Sequence, residues 1–320
     1  MQSRNAALKQ DIQRLTLEIA SGKVSDVREA IGGNSSYIND IERSLTKMNG
    51  YELATREANQ FAEGVQIALS QMSNLNSAFR DTLIETASSA LEASSKTAIS
   101  EAKSGLSDLI NVMNTSVAGR FIFGGTATSS NPVAPSENLL SELSAAVGSA
   151  STVDDMLAAA KAWFNDPAGF ESLGYLGAQT SLAPISLSDD ETAQFGLRGD
   201  DPAFREILQN FAMIALADDP SLGLTSAQQT ELFQKSTSAV VGATDSIVEL
   251  QARVGVSESR LETILVRQSA ERSALEMARN DILGSDPFEA ATELEQVQFQ
   301  LQSLYAITSR MSQLSLVNFL

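Results

Sequence analysis

The chain has no cysteine and no histidine. The first absence removes disulfide staples and thiolate chemistry. The second removes Ser–His and Cys–His nucleophile pairs, and the two together remove the usual zinc ligands. Aromatic residues are only 6% of the sequence, thin for a compact globule and usual for packed helices. Proline is missing before Pro132; six of the seven prolines lie between Pro132 and Pro220, and the last is Pro287. Proline breaks helix interiors because it lacks the amide hydrogen and clashes with the preceding turn, so two long proline-free arms are open to helix. The longest apolar run, Phe211 to Ala217, is far too short to span a bilayer. The first residues, Met1-Gln2-Ser3-Arg4-Asn5, offer no apolar core for a secretory signal.

Positive charge is also scarce. The net charge is −18, and residues 126–227 hold fourteen acidic side chains against three basic ones (Lys161, Arg198, Arg205). Concentrated negative charge repels phosphate backbones and anionic lipid, so neither nucleic acid nor membrane is an expected partner. The plainer role of such charge is a solvated surface.

What is present is helical periodicity. Leu8, Ile12, Leu15 and Ile19 are spaced 4, 3, 4, the seam of an amphipathic helix, which Ser21-Gly22 ends. A polar stretch with Gly32-Gly33-Asn34 follows, then a short helix bearing Ile38, Ile41, Leu45 and Met48, ended by Asn49-Gly50. From Tyr51 to Ala118 the pattern is almost continuous and predicts one helix of roughly 100 Å. In the returning arm Val240, Ala243, Ile247, Leu250, Val254, Ser257, Leu261, Ile264, Gln268, Glu271, Leu275, Ala278 and Ile282 alternate steps of 3 and 4, a coiled-coil seam. Its natural partner is the first arm, packed antiparallel. Gly284 supplies a stop, and Asp286-Pro287-Phe288-Glu289 reads as a capped start with proline in the first helical position. The apolar tail, residues 314–320, calls for a partner to bury it.

Between the arms, Ser151 with Asp154 predicts a helix to Trp163-Phe164, closed by Asn165-Asp166-Pro167. Alternation at Ile185 and Leu187, the Asp189-Asp190 turn, then Ala193, Phe195 and Leu197 read as a β-hairpin. Asp201-Pro202 starts another helix. The expected fold is therefore mainly α: a long antiparallel helical bundle or coiled coil formed by an N-terminal arm (1–125) and a C-terminal arm (228–320), with a small acidic α+β domain (126–227) inserted.

Catalytic patterns are weak. Ser44-Leu45-Thr46-Lys47 has serine–lysine spacing, but the accompanying S-D-N and K-T-G are missing, which leaves an exposed helix face as the simpler reading. The pairs Asp189-Asp190, Asp200-Asp201 and Asp218-Asp219 could hold calcium but lack EF-hand spacing, and turn or cap duty suits them better. Paired carboxylates on a stalk could hydrolyse glycosides, yet a lone Trp163 is little surface for a sugar. The segment Gly119-Arg120-Phe121-Ile122-Phe123-Gly124-Gly125 is a short apolar strand between flexible glycines. It suits either a buried hinge strand or an assembly contact.

That segment resembles the G-(K/R)-Y/F-(L/I)-F-(S/G)-G signature of flagellin-like hook-associated proteins. Three more stretches agree in order. Leu15 to Val24 looks like the family's L…L-S-S-G-(K/R) segment, Val254 to Glu262 its (V/L)-G-x-R-x-N-R-L-E stretch, and Asp286 to Leu320 its C-terminal helix with the L-S-L-x-x-(Y/F)-L ending. The family's Asp-Asp-Pro after the Ser-Gly turn is replaced by Val27-Arg28-Glu29-Ala30, and the chain starts within the N-terminal arm, short of the family's leader.

The resemblance implies a structural, non-enzymatic protein without cofactor, an adaptor at the junction of flagellar hook and filament. Its implied partners are copies of itself in a ring, the first hook-associated protein, flagellin and a flagellar export chaperone. Its implied place is outside the cell, reached through the flagellar type III apparatus without a cleaved signal. The implied assembly residues are Leu8, Ile12, Leu15 and Ile19; Gly119, Arg120, Phe121, Ile122, Phe123, Gly124 and Gly125; and Leu301, Leu304, Met311, Leu314, Leu316, Phe319 and Leu320. A flagellin filament subunit is the alternative, although the flagellin stretches D-D-A-A-G and Q-R-x-R-E-L are absent and Gln71 to Asn76 stands near the latter's place.

Overall fold

The computed structural model describes residues 2–26, 35–88 and 92–317, with side chains from Ser3 to Met311 within those ranges. The chain forms two compact units, Met1–Glu52 with Val266–Leu320, and Leu53–Leu265. The helices are α1 (Gln2–Ser21), α2 (Ser36–Ser88), α3 (Glu92–Met113), α4 (Ser136–Val147), α5 (Val153–Asn165), α6 (Pro202–Ala215), α7 (Ser226–Leu283) and α8 (Pro287–Val317). Two small antiparallel pairs accompany them: β1 (Ser116–Val117) with β2 (Arg120–Phe121), and β3 (Ile185–Ser186) with β4 (Thr192–Ala193).

In the first unit α1 ends where expected. Gly22 takes φ +66, a left-handed conformation that glycine adopts without a Cβ penalty. The chain then docks on the α7–α8 corner: Lys23 bridges Gly284, the Val24 amide donates to the Leu283 carbonyl at 2.9 Å, and the Ser285 amide to the Gly22 carbonyl at 3.0 Å. Glu18 is buried there, accepting from Arg14 at 3.0 Å and from the Ser25 amide at 2.9 Å. At the far side of that corner Asp286 caps α8, its carboxylate accepting from the Phe288 amide at 2.8 Å. Within this unit α2 and α7 run antiparallel, and buried Glu52 meets Arg272 at 2.9 Å.

The seam of α7 is buried from Val240 through Gln268 with only Ser257 half-exposed. Its next member is Arg272, not the expected Glu271, which is exposed. Two successive steps of four, 264 to 268 to 272, are a stutter that locally unwinds the heptad. A carboxylate–guanidinium pair, rather than Glu271, therefore fills the seam.

Helix α2 also departs from expectation. It runs unbroken through Asn49-Gly50. A solvent-facing glycine costs a helix only about 1 kcal/mol, and buried Leu45, Met48 and Thr55 hold both sides of it. The predicted single helix from Tyr51 to Ala118 is instead two, α2 and α3, folded back on each other. Thr82 donates to Glu101 at 2.7 Å and Thr86 to the Ser94 carbonyl at 3.4 Å; in one straight helix residues 82 and 101 would stand about 28 Å apart. Both helices bury the same kind of apolar seam, so the period carries no mark of the reversal.

In the second unit α2 and α7 again pack antiparallel. Buried Asn76 donates to the Val240 carbonyl at 3.0 Å and to Thr244 at 2.8 Å, and Gln251 reaches Ser70 at 3.2 Å. Residues 126–227 share this unit's core with the arms. Helix α6 lies on α3 and stacks Phe211 on Phe79 with ring centroids 4.1 Å apart. A Cβ on Gly105 of α3 would collide with that Phe211 ring, so the glycine sets how closely the two helices approach. By packing, then, the acidic segment belongs to one compact unit with parts of both arms.

The local elements of that segment follow sequence chemistry. Asp201 caps α6, with Pro202 in the first helical position. For α5 the cap is Thr152, one residue beyond the expected Ser151, and it accepts from the Asp155 amide. The hairpin pairs Ile185 with Ala193 and Ser186 with Thr192.

Candidate assembly surface

The glycine-flanked segment forms the tip and root of the β1–β2 hairpin. Ala118 and Gly119 both take positive φ, 49° and 77°, the backbone of a two-residue hairpin turn matched to strand twist. Arg120 stands exposed at this tip, and Phe121 is half-buried. Past it the chain dives inward. Ile122, Phe123, Gly124 and Gly125 are buried, and Phe123 packs edge-on against Phe204 at 5.0 Å. Gly125 has φ +59, and a Cβ there would sit 2.6 Å from the carbonyl oxygens of Ala178 and Thr180. The Ala178 amide donates to Gly124 and the Gly199 amide to Phe123. Tyr175, its hydroxyl donating to the Phe123 and Ala178 carbonyls, has its pKa pushed up to about 12 by burial first and by Asp200 second.

Of the seven residues predicted for assembly here, four therefore build the core of their own unit. Gly119 and Arg120 present themselves outward.

In the first unit the predicted seam of α1 is real: Leu8 and Leu15 are buried, Ile12 and Ile19 half-buried. On α8, Leu301 and Leu304 are half-buried and Met311 is exposed. The side chains of Leu314 and Leu316, and all of Phe319 and Leu320, lie outside the described residues. The two helices run antiparallel, with the Tyr305 hydroxyl 3.4 Å from Asn5.

Sequence reasoning missed several outward apolar side chains in this unit. Phe288 is 82% exposed and Phe299 70%, with Leu17, Ile307 and Met277 also more than half exposed. The available signal was that Leu17, Phe288, Phe299 and Met277 are large apolar residues standing off the seams. Exposed side chains of that size are the residues of this unit available for contact with another chain.

The other candidates have structural duties. Ser44 and Lys47 lie on the exposed face of α2, with the lysine over the Tyr51 ring at 5.7 Å. Asp200 takes both nitrogens of an Arg198 fork at 2.8 and 2.7 Å, Asp201 caps, Asp218 pairs with Lys103 at 2.8 Å, and Asp219 accepts from Ser144 and Ser221. Among the described residues no group of three or more acidic side chains is arranged to hold a metal ion, and no helix is long and apolar enough to cross a membrane.

One carboxylate is held unfavourably. Glu258 has its pKa raised by burial and, after that, by the charges of Glu63 and Glu262. A carboxylate raised on folding adds stability at pH below its unfolded value, and that contribution is lost as pH rises through the folded value. At neutral pH the ionised group is therefore a cost. Glu258→Gln is expected to raise the thermal midpoint at about pH 7, with the gain vanishing below about pH 4, the ordinary carboxylate range. A scanning-calorimetry pH series checks it, and an equal gain at both ends would remove the electrostatic cause.

Residues 237–320 match the family described as the bacterial flagellin C-terminal helical region. The fold is shared with a chain described as a flagellar hook-associated protein of Vibrio parahaemolyticus, at TM-score 0.53 and 13% identity, covering 77% of this chain and 96% of that one. It is shared equally with FlgL of Bacillus cereus, at TM-score 0.54 and 14% identity, covering 76% of this chain and 100% of that one. A comparison with curated protein sequences finds no significant match.

Proposed function

We propose that this chain is a structural subunit of the bacterial flagellum and serves as the ring-forming adaptor between hook and filament, assembling through its terminal helices. The observation that supports this most is the fold, common over about three quarters of the chain to a hook-associated structure and to FlgL. The outward apolar side chains of α1 and α8 supply a reason to assemble: burial of such surface contributes about 25 cal/mol per Å². In this reading one face of the ring meets the first hook-associated protein and the other meets flagellin. Catalysis and cofactors have no part in it, and export is through the flagellar apparatus.

A specific observation favours the second reading, a filament subunit: the matched family is that of flagellin's own C-terminal region. Immunogold labelling of flagella separates the two. One band at the distal end of the hook is expected; label along the filament would establish the filament subunit, and label absent from flagella would overturn both. A chain lacking residues 314–320 is expected to be missing from the hook tip while the purified protein melts almost as before. A large drop in its melting temperature would place the tail in the protein's own core instead.

A further inference from the structure

Helix α7, one unbroken helix, carries a second line of heptad spacing. Ala252, Val256, Ser259, Thr263, Val266, Ala270, Ser273 and Met277 alternate steps of 4 and 3, the pattern of a coiled-coil face. They lie on the far side of the helix from its buried seam, because two positions turn an α-helix by about 200°. All are exposed except Ser273, which is half-buried. Val256 and Val266 are each 72% exposed and Met277 63%. A helix packed on one side ordinarily carries charge on the other, yet no charge interrupts this line over roughly 40 Å.

The charges stand beside the line and are sorted by sign. Arg253, Arg260 and Arg267 each follow one of its members on one edge, and Glu262 and Glu276 each precede one on the other edge. The remaining edge places are Ala274 among the arginines, and Gly255 and Ser269 among the glutamates. Edge charges set the orientation of paired helices. In an antiparallel pair each edge lies along its own kind, and Arg260 of one copy meets Arg267 of the other. In a parallel pair each edge lies along the opposite kind, and Glu262 of each copy meets Arg267 of the other.

The line has ends. Before it Asp245 and Glu249 hold the same heptad places, and there Glu206 of α6 reaches the helix, accepting from Ser246 at 3.1 Å. Asp201 borders the same cleft as Arg253, so the attraction falls to Glu262 and Arg267. After Met277, Asp281 would face Glu276, which lies 3.8 Å from Arg272, and the contact stops.

We propose that two copies of the chain pair along this line, parallel and in register. Val256, Val266 and Met277 of each copy meet their counterparts, and Glu262 of each reaches Arg267 of the other. A second copy is the occupant because the face is complementary to itself in this orientation: one uncharged line with edges of opposite sign. Small side chains at Ala252, Ser259, Ala270 and Ser273 limit the apolar area, so the dimer is weak, at the transient end of protein contacts. A two-fold contact closes on itself and does not extend. It is therefore separate from the ring proposed above and goes beyond the flagellar reading without resting on it.

A chain without cysteine suits a cross-linking test. In a parallel pair every residue of the line faces its own counterpart, whereas in an antiparallel pair only those near the middle do. Ser259→Cys, Thr263→Cys and Ala270→Cys are each expected to give a disulfide-linked dimer under mild oxidation. Ala227→Cys, exposed on the same helix before the line, is not. In sedimentation velocity at low ionic strength, E262R and R267E are each expected to weaken dimerisation at least about tenfold, and E262R/R267E, which exchanges the charges within one chain, to recover it. Circular dichroism melts check that each variant keeps its helices, and E262Q and R267Q serve as milder replacements if one unfolds.

Cross-linking confined to Thr263→Cys, Ala227→Cys linking as readily as the others, a charge exchange that recovers nothing, or a wild-type chain monomeric to about 1 mM would each overturn the contact. None of these outcomes bears on where immunogold places the protein, so the contact and the flagellar placement can fail independently.

Discussion

Phe211→Ala is expected to destabilise the second unit by about 3–5 kcal/mol, the range for truncating a buried aromatic side chain. Phe211 is 1% exposed, stacks on Phe79, and fits against Gly105 where no Cβ is tolerated. Phe79 and Leu106 are themselves fully buried in the same core, and a packed core relaxes only partly into the space left. The effect should appear as a lower midpoint in urea with an unchanged slope. Replacing residues 130–225 by a flexible linker is the larger version of the same change. It would strip α6 from α3, uncover Leu106, Leu109, Ile110 and Met113, and lower the helical circular dichroism of the remaining arms. Arms that kept full helicity and melting temperature would show that the acidic segment is dispensable to them.

Leu250→Asp should be at least as damaging. Leu250 is 2% exposed in the α7 seam. Truncation of such a leucine costs about 2–5 kcal/mol, and an unpaired aspartate adds desolvation unless it takes up a proton. The unit should melt and self-association should cease, whereas Glu249→Gln, at an exposed neighbouring position, should change the melting temperature little. Thermal melts of the two variants side by side check this. A wild-type melting curve for Leu250→Asp would rule out a seam at that position.

Much of this protein was written in local chemistry. The ends of α1 and α7, the capped starts of α6 and α8, the short hairpin and the long seam of α7 all follow from residues within a few positions of one another. Capping, turn geometry and a 3-4 apolar spacing are short-range properties, so sequence alone determined them. Sequence also determined the mainly helical class and the poverty of catalytic groups.

The tertiary structure decided the matters that depend on distant pairs. The reversal between α2 and α3 is invisible in their periodicity because both helices need the same apolar face. The slip from Glu271 to Arg272 depends on Glu52, more than two hundred residues away in the chain, being buried opposite. Composition set the acidic segment apart, yet its apolar side chains, Phe204 and Phe211 foremost, bury themselves among those of the arms. The glycine-flanked hairpin shows the division most sharply. Its residues announce a tight turn and an apolar strand, but which of them face water was fixed by Phe204, Tyr175 and the Ala178–Thr180 backbone, and these left only the tip outside. Charge follows the composition of a stretch of chain; burial follows partners, and partners are chosen in three dimensions.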